Sequence, residues 1–149
     1  MAIIPLIPDL QEQIDNIDDQ SASAVTKLGR CFLFDFNKNE FAIQDGKLVE
    51  CTEVKAVEQW ITLILQTYKD KYNIYKDTDF YCNIEDLRGQ KPNGFVLSEL
   101  KREITEALLK HRYIKSVDNF EFTKEKEKLI ISFTVTLYDS TIIDREEAL

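Results

Sequence analysis

Residues 129–137 read LIISFTVTL, and this stretch decides the fold. Large apolar side chains occupy every second position from Leu129 to Leu137, and Ser or Thr fills most of the positions between them. Because successive side chains of a β-strand point to opposite faces of a sheet, this alternation predicts a strand with one buried face. The preceding stretch IKSVDNFEF, residues 114–122, predicts the neighbouring strand.

Two long amphipathic helices are predicted upstream of these strands. In LSELKREITEALL, residues 97–109, apolar residues recur at the spacing of one helical face from Leu97 to Leu108. Thr52 is a suitable N-cap for an earlier helix, whose apolar stripe runs through residues 54–68. A single helical turn is predicted at residues 84–87 between the two helices.

A small strand meander is predicted before the first helix. Phenylalanines at alternate positions of residues 31–36 predict a strand whose aromatic face lies in the core. Residues 41–43 predict a second strand, and Asp45-Gly46 predicts a hairpin turn before Leu48. The chain is therefore predicted to be α+β, with a small mixed sheet packed against two long helices.

Composition favours one folded domain with an acidic arm. With 149 residues, of which 44% are hydrophobic, the chain can build one core. Residues 1–26 carry acids but no Lys or Arg, so they are predicted to form a flexible arm, and residues 27–149 the single domain. The sequence leaves open whether the apolar tip at residues 3–7 is solvated or becomes ordered on a partner.

Several function classes are disfavoured by the residues present. A net charge of −8 argues against nucleic-acid binding, and no apolar run is long enough to span a membrane. The three cysteines, Cys31, Cys51 and Cys82, lack metal-ligand spacing and are interpreted as reduced thiols packed like small apolar side chains. His111 follows the second helix, where a cation would cap the carbonyl end. We expect a cytoplasmic protein without cofactor or metal.

Seven segments, in order and spacing, carry a resemblance to a known family. They are Phe34–Phe36, Gln44–Val49, Ala56–Ile61, Tyr72–Tyr75, Asp86–Gly89, Glu99–Leu108 and Ile114–Val117. Together they resemble the baseplate wedge proteins of contractile phage tails and of phage-tail-like bacteriocins. That family is related to the tail proteins once labelled lysozyme-like and to the matching component of type VI secretion baseplates.

The resemblance implies a structural protein with a fold similar to the handshake domain of tail sheath subunits. Such a protein would link the wedge scaffold of the baseplate to the first ring of sheath subunits and nucleate sheath assembly by strand augmentation. Its partners would be the tail sheath protein and the wedge scaffold proteins, with tube or hub proteins as further candidates. It would be present in several copies, first in the cytoplasm and then in the virion tail or bacteriocin particle.

The resemblance places wedge contacts in the tyrosine-rich segment and the turn after it. The expected contact residues are Lys69, Lys71, Tyr72, Ile74, Tyr75, Asp86, Leu87 and Arg88. The Glu-Pro-Arg motif with which better-known relatives engage the wedge does not occur in this sequence.

Sheath contacts are expected along the strand at residues 129–138. We interpret this strand as a free edge, because strand augmentation uses main-chain hydrogen bonds along a regular, exposed edge. The expected contact residues are Ile130, Ser132, Thr134, Thr136 and Tyr138.

Two functions from other classes are alternatives to this structural role. A lysozyme-like hydrolase needs two carboxyls facing each other across a bond, whereas the adjacent Glu85 and Asp86 would point apart on a helical turn. No nucleophile and base at recognisable spacing appear, so the sequence predicts that the protein is not an enzyme. An acidic adaptor or inhibitor that mimics nucleic acid is disfavoured by the mixed charge of the helices, as at Glu99 and Arg102.

Overall fold

The computed structural model describes residues 28–149, and the predicted arm with its apolar tip lies outside them. Two helices pack against one face of a three-stranded sheet, and a separate strand meander precedes them. The elements are β1 Phe34–Asp35, β2 Glu40–Phe41, β3 Ile43–Gln44, β4 Lys47–Leu48, α1 Glu53–Gln66, α2 Gly94–Leu109, β5 Ile114–Glu125, β6 Lys128–Leu137 and β7 Ile142–Ala148. Two 3₁₀ turns, Asn73–Tyr75 and Glu85–Leu87, lie between the helices. The predicted α+β class and the predicted single turn are confirmed.

The main sheet has the strand order β5-β6-β7, so β6 lies in its centre. β6 pairs with β5 from Leu137 to Lys128 and with β7 from Ile130 to Thr136. Both pairings are antiparallel because consecutive strands are joined by short turns. The expectation of a mixed sheet is therefore wrong for the described residues, and β7 is a strand that the sequence did not predict.

The core lies between the sheet and the two helices. β6 supplies one complete face of alternating apolar residues, of which Ile131 and Val135 are fully buried. The helices add their predicted stripes, and the fully buried side chains include Val57, Ile61, Ile64, Leu100, Ile104, Leu108, Ile131, Phe133, Val135 and Leu137. The alternating pattern at residues 129–137 thus produces the buried face that it predicts.

Both helices begin at side-chain caps. The Thr52 hydroxyl accepts a hydrogen bond from the Lys55 N–H at 3.3 Å, which confirms the predicted N-cap of α1. The Asn93 side-chain carbonyl accepts one from the Val96 N–H at 2.9 Å, so α2 begins at Gly94, one turn before its apolar stripe. The caps fix where each helix starts and therefore which residues face the sheet.

The meander closes on itself instead of joining the main sheet. The Leu33 N–H donates to the Val49 carbonyl at 2.8 Å, the Ala42 N–H to the Leu33 carbonyl at 2.9 Å, and the Val49 N–H to the Ala42 carbonyl at 3.1 Å. Positive φ angles at Asp45 and Gly46, 51° and 73°, make the predicted hairpin turn.

The aromatic face of the meander is not part of the core. Phe34 packs its ring edge-on against Phe36 and Phe41 at centroid distances of 5.0 and 5.1 Å. Phe34 and Phe36 are intermediate in burial, and Phe41 is exposed. The prediction that this face is buried in the core is wrong. The strand is only two residues long, and the meander bonds to α1 through Gln59 rather than to the sheet.

Candidate partner-binding surfaces

Tyr68 brings together two cations that the sequence predicts as wedge contacts. Its hydroxyl accepts a hydrogen bond from the Arg88 guanidinium at 2.7 Å, and the Lys71 ammonium lies 4.6 Å from its ring centroid. Lys71 also forms an ion pair with Glu85 at 3.6 Å. Tyr68 belongs both to the helical stripe and to the tyrosine-rich segment, but it is not among the residues predicted as wedge contacts.

Two apolar side chains project beside this cluster. Ile74 is 79% exposed and Tyr72 is 45% exposed, on the 3₁₀ turn Asn73–Tyr75 and its cap. An isoleucine so exposed in a loop has no packing role within the described residues, and exposed aromatic and apolar groups of this kind favour an interface. We call the patch formed by Tyr68, Lys71, Tyr72, Ile74, Glu85 and Arg88 the tyrosine surface.

The four other predicted wedge residues make different contacts from those of the tyrosine surface. Lys69 lies over the Tyr81 ring at 5.6 Å and shares a shallow pocket with Lys110. Tyr75 packs on Phe80 at a ring distance of 4.8 Å, and Leu87 packs against the core. Asp86 is exposed, and its backbone carbonyl accepts from Gln90.

The strand predicted as a sheath-binding edge is the centre of the sheet. β6 is paired on both sides, so its backbone N–H and C=O groups are occupied by β5 and β7, and the prediction of a free edge there is wrong. The five expected contacts nevertheless lie on one side: Ile130, Ser132, Thr134 and Thr136 point away from the helices, and Tyr138 is 58% exposed beyond the strand end. The sequence does not predict β7, because this strand carries too few apolar residues to give a strand pattern, and β6 is therefore expected to be an edge.

The free edges of the sheet belong to β5 and β7, and they differ in regularity. β5 has two register shifts, between Ile114 and Ser116 and between Asp118 and Glu121, and bulges of this kind disturb further pairing. β7 follows β6 without a shift. Among the described strands, β7 therefore has the edge best suited to accept another strand.

The hydrogen-bond register shows which groups of β7 face outward. Leu129 and Leu149 exchange both backbone hydrogen bonds, at 3.1 and 2.8 Å, so alternate residues back along β7 bond to β6. The N–H groups of Asp144, Glu146 and Ala148 then point to the outer edge, whereas those of Arg145 and Glu147 point to β6.

A partly buried arginine fastens β7 to the first helix. The Arg145 guanidinium donates to the Thr62 hydroxyl at 2.9 Å and forms an ion pair with Glu147 at 2.6 Å. Its Nε is buried without a hydrogen-bond partner in the described part of the chain. β7 is thus held from the core side, and no strand within residues 28–149 pairs with its outer edge.

The face of the sheet opposite the helices is acidic. Asp118 and Asp144 flank Thr134, and Glu121 and Glu146 flank Ser132, in the observed register. These four carboxylates are exposed. We call this surface the outer face.

Gln59 is the buried polar group that joins the meander to α1. Its amide oxygen accepts from the Phe34 N–H at 2.7 Å, and its amide nitrogen donates to the Phe32 carbonyl at 3.1 Å. The same nitrogen lies 3.3 Å from the Cys31 sulfur and 3.8 Å from the Cys51 sulfur. The structure therefore brings two cysteines together that lie far apart in sequence.

The cysteines are free thiols, as the sequence predicts, but only one is part of the core. Cys82 is buried, and this burial raises the pKa of its thiol to about 12. Desolvation, together with a hydrogen bond to Cys31, raises the pKa of the Cys51 thiol to about 11. A thiol with so high a pKa is a poor nucleophile near neutral pH.

His111 does not act as the cationic cap that its position predicts. Its ring stacks edge-on against Trp60 at 4.5 Å, and its Nδ1 accepts a hydrogen bond from the Tyr113 N–H at 3.1 Å. Burial, and then the charge of Arg112, lowers the pKa of the imidazole. The Nδ1 atom thus faces the Tyr113 N–H and not the last helix carbonyls. The Lys110 ammonium, a cation at this helix end, donates to the Asp79 carbonyl at 2.7 Å.

The described residues offer little for catalysis. Glu85 and Asp86 are exposed and Glu85 is paired with Lys71, so neither lies in the apolar pocket that a glycosidase acid requires. Residues 28–149 contain no group of three or more His, Cys, Asp or Glu placed to hold a metal ion. None of the helices in this part of the chain combines the length and apolarity needed to cross a membrane.

A comparison with known protein families identifies the family of this chain. The family model for the contractile injection system sheath initiator matches residues 30–140. This chain belongs to the sheath initiator family. The match runs from before β1 through β6, and β7 follows it. No curated protein matches the chain.

Membership of the sheath initiator family confirms the coarse predictions of function. It supports a structural role in starting the sheath of a contractile injection system, and hence a place in the particle's tail. The family name points to a structural sheath initiator rather than to an enzyme. It also implies an interaction with the tail sheath.

Proposed function

We propose that this sheath initiator accepts a strand from a sheath subunit on the outer edge of β7. The observation that carries the proposal is the unshifted register of β7 against β6, which leaves an ordered row of outward N–H and C=O groups. Strand addition at such an edge gains main-chain hydrogen bonds regardless of side chains. The sheet would thereby act as the template for the first ring of sheath subunits.

The composition of β7 fits an edge that must stay free before assembly. Its residues 144–147 read DREE, and only Ile143 of the strand is buried. Charged side chains on an edge strand discourage pairing between free copies. A strand donated in the correct orientation could still pair, because backbone hydrogen bonding does not require the edge to be apolar.

We further propose that the tyrosine surface binds the wedge scaffold of the baseplate, as in the lysozyme-like wedge family that the sequence resembles. Ile74 and Tyr72 would supply apolar contacts, while Lys71 and Arg88 would contribute charge at the rim. Tyr68 contacts both cations: its hydroxyl accepts a hydrogen bond from Arg88, and its ring lies beside the Lys71 ammonium. No Glu-Pro-Arg motif is needed in this arrangement.

The two proposed surfaces lie next to each other. A cavity of about 110 Å³ is lined by Tyr68 and Arg88 on one side and by Glu147 and Ala148 of β7 on the other. A single copy could therefore hold the scaffold and the first sheath strand side by side. This proximity supports a linking role between baseplate and sheath.

The edge is tested with a matched pair of variants at one position. Glu146→Pro removes an outward N–H without removing a β6–β7 hydrogen bond, whereas Glu146→Ala removes the charge and keeps the N–H. Particles produced in the native host are examined by electron microscopy for sheath length. We expect sheaths to be lost with Glu146→Pro and to be of normal length with Glu146→Ala. Normal sheaths with both variants would contradict augmentation on β7.

The tyrosine surface is tested separately, by the proteins that co-purify with the tagged chain. Ile74→Asp places a charge at the most exposed apolar side chain, and Lys76→Asp changes an exposed residue two positions away. We expect wedge proteins to be lost with Ile74→Asp and retained with Lys76→Asp, while the melting temperature is unchanged in both. Retention of the wedge proteins by Ile74→Asp would reject this surface.

A further inference from the structure

A basic groove lies at the hairpin end of the main sheet. It has a volume of about 450 Å³ between the turn after Leu87 and the β5–β6 hairpin. Five cations line it: Arg88, Lys91, Lys124, Lys126 and Lys128. Its apolar lining includes Leu87 and Leu129.

Positive charge exceeds negative charge in the lining of this groove, as far as residues 28–149 show. None of its five cations forms an ion pair in that part of the chain, and Glu127 is the one acid among the lining residues. Five of the nineteen Lys and Arg residues thus line a single groove of a chain whose net charge is −8. Like charges collected in a concave site attract an anionic group.

The chain itself contains a segment of complementary chemistry. Residues 9–19 read DLQEQIDNIDD, with five acids and no Lys or Arg. Leu10, Ile14 and Ile17 are interleaved with these acids. The acids match the lysine rim of the groove, and the branched side chains match its leucines.

The length of the connecting chain allows this segment to reach the groove. The Leu28 N–H donates to the Tyr113 hydroxyl at 3.2 Å, which fixes Leu28 beside the start of β5. The twelve residues of β5 lead from there to the groove, over about 35 Å at roughly 3.3 Å per residue. Asp18 and Asp9 are ten and nineteen residues before Leu28, which permits spans of up to about 35 and 65 Å.

We propose that residues 9–17 of the same copy bind in the basic groove. The outer face of the sheet would repel this acidic segment, since its four flanking side chains are carboxylates. The groove thus offers the segment both charge pairing and an apolar floor. The inference is independent of strand addition at β7, because it uses different residues.

The test uses the full chain with the photoreactive residue benzoylphenylalanine at position 14, followed by mass spectrometry of the cross-linked peptides. We expect cross-links within one chain to residues 87–92 and 124–129 at low salt, with a yield that does not change on tenfold dilution. The yield should fall at least fivefold in 0.5 M NaCl, because the charges are screened.

Charge reversal supplies the matched controls. Lys124→Glu, Lys126→Glu and Lys128→Glu together should abolish the cross-links, and so should Asp9→Lys, Glu12→Lys and Asp15→Lys in an otherwise unchanged chain. Combining both sets should restore them. Reversal of Lys38, Lys47 and Lys76, exposed lysines outside the groove, changes the net charge equally and should leave the yield unaltered.

Three results would overturn the proposal. They are cross-links outside the groove, cross-links that form only between copies, and cross-links to the groove that persist after charge reversal. The variants at residues 9, 12 and 15 leave the groove untouched, so a loss of cross-links in them cannot be attributed to misfolding of the groove.

Discussion

At the scale of single residues, Gln59 decides how the meander is attached. It is 7% exposed and satisfies the Phe34 N–H and the Phe32 carbonyl. Gln59→Leu leaves both groups without these partners, so we expect a loss of about 1–3 kcal/mol in the free energy of unfolding. Gln66→Leu, at an exposed position of the same helix, should change it by no more than about 0.5 kcal/mol. Urea denaturation measures both values, and equal values would contradict the attachment.

His111 gives a second prediction at the residue scale, concerning pH. Burial lowers the pKa of its imidazole below the ordinary value, so the unfolded chain binds a proton at a higher pH than the folded chain does. Stability should therefore be complete above pH 6.5 and fall as the pH is lowered through and below that value. His111→Phe keeps a ring against Trp60 and lacks the titrating group. Its melting temperature should change less than that of the unmodified protein between pH 7.5 and 5.5, and equal slopes would contradict the assignment.

At the scale of elements, the two hydrogen-bonding edges of β7 are not equivalent. Glu147 directs its N–H to β6, so Glu147→Pro removes a ladder hydrogen bond and should cost about 3 kcal/mol or more. Glu146→Pro removes an outward N–H and should cost roughly 1 kcal/mol or less. Thermal unfolding of the two variants distinguishes them. If Glu146→Pro were the more damaging, the assigned register would be wrong.

The elements that could be predicted from the sequence are those that have one strongly apolar face. β6 alternates over nine residues and α2 repeats over several turns, so a single burial pattern identifies each. β7 could not be predicted, because a single buried side chain, Ile143, gives no alternating pattern. Without β7, the central strand β6 is expected to be an edge strand. For the three phenylalanines of the meander, the sequence pattern predicts burial that the structure does not have. Alternation predicts that their side chains share one face of a strand, but it does not predict whether another element covers that face.

The candidate surfaces show why sites were harder to predict than elements. Lys71 and Arg88 are both expected at the wedge contact. That Tyr68 contacts both of them is decided by how the segment after α1 folds back, which the sequence does not show. Likewise, the basic groove joins two lysine-containing turns that are more than thirty residues apart. Local sequence patterns give no information on such contacts between distant segments, because these contacts form only when the sheet and the helices pack together.

At the scale of the whole molecule, the described chain consists of a well-packed core and a thinly attached meander. Every residue of 28–51 is exposed or intermediate in burial, whereas β6 alone contributes four buried side chains. Local opening is easiest where few apolar contacts must be broken. We therefore expect hydrogen exchange to be faster at the hydrogen-bonded amides of Leu33, Ala42 and Val49 than in β6.

The attachment through Gln59 makes this expectation specific. Gln59→Leu should accelerate exchange at these three amides at least tenfold and leave the amides of β6 nearly unchanged, because the meander would open without the core. Mass-spectrometric hydrogen exchange on both proteins measures this difference. Acceleration of the same size in β6 would mean that meander and core unfold as one unit. In that case the meander would be an integral part of the platform on which the sheath starts, and not an appendage to it.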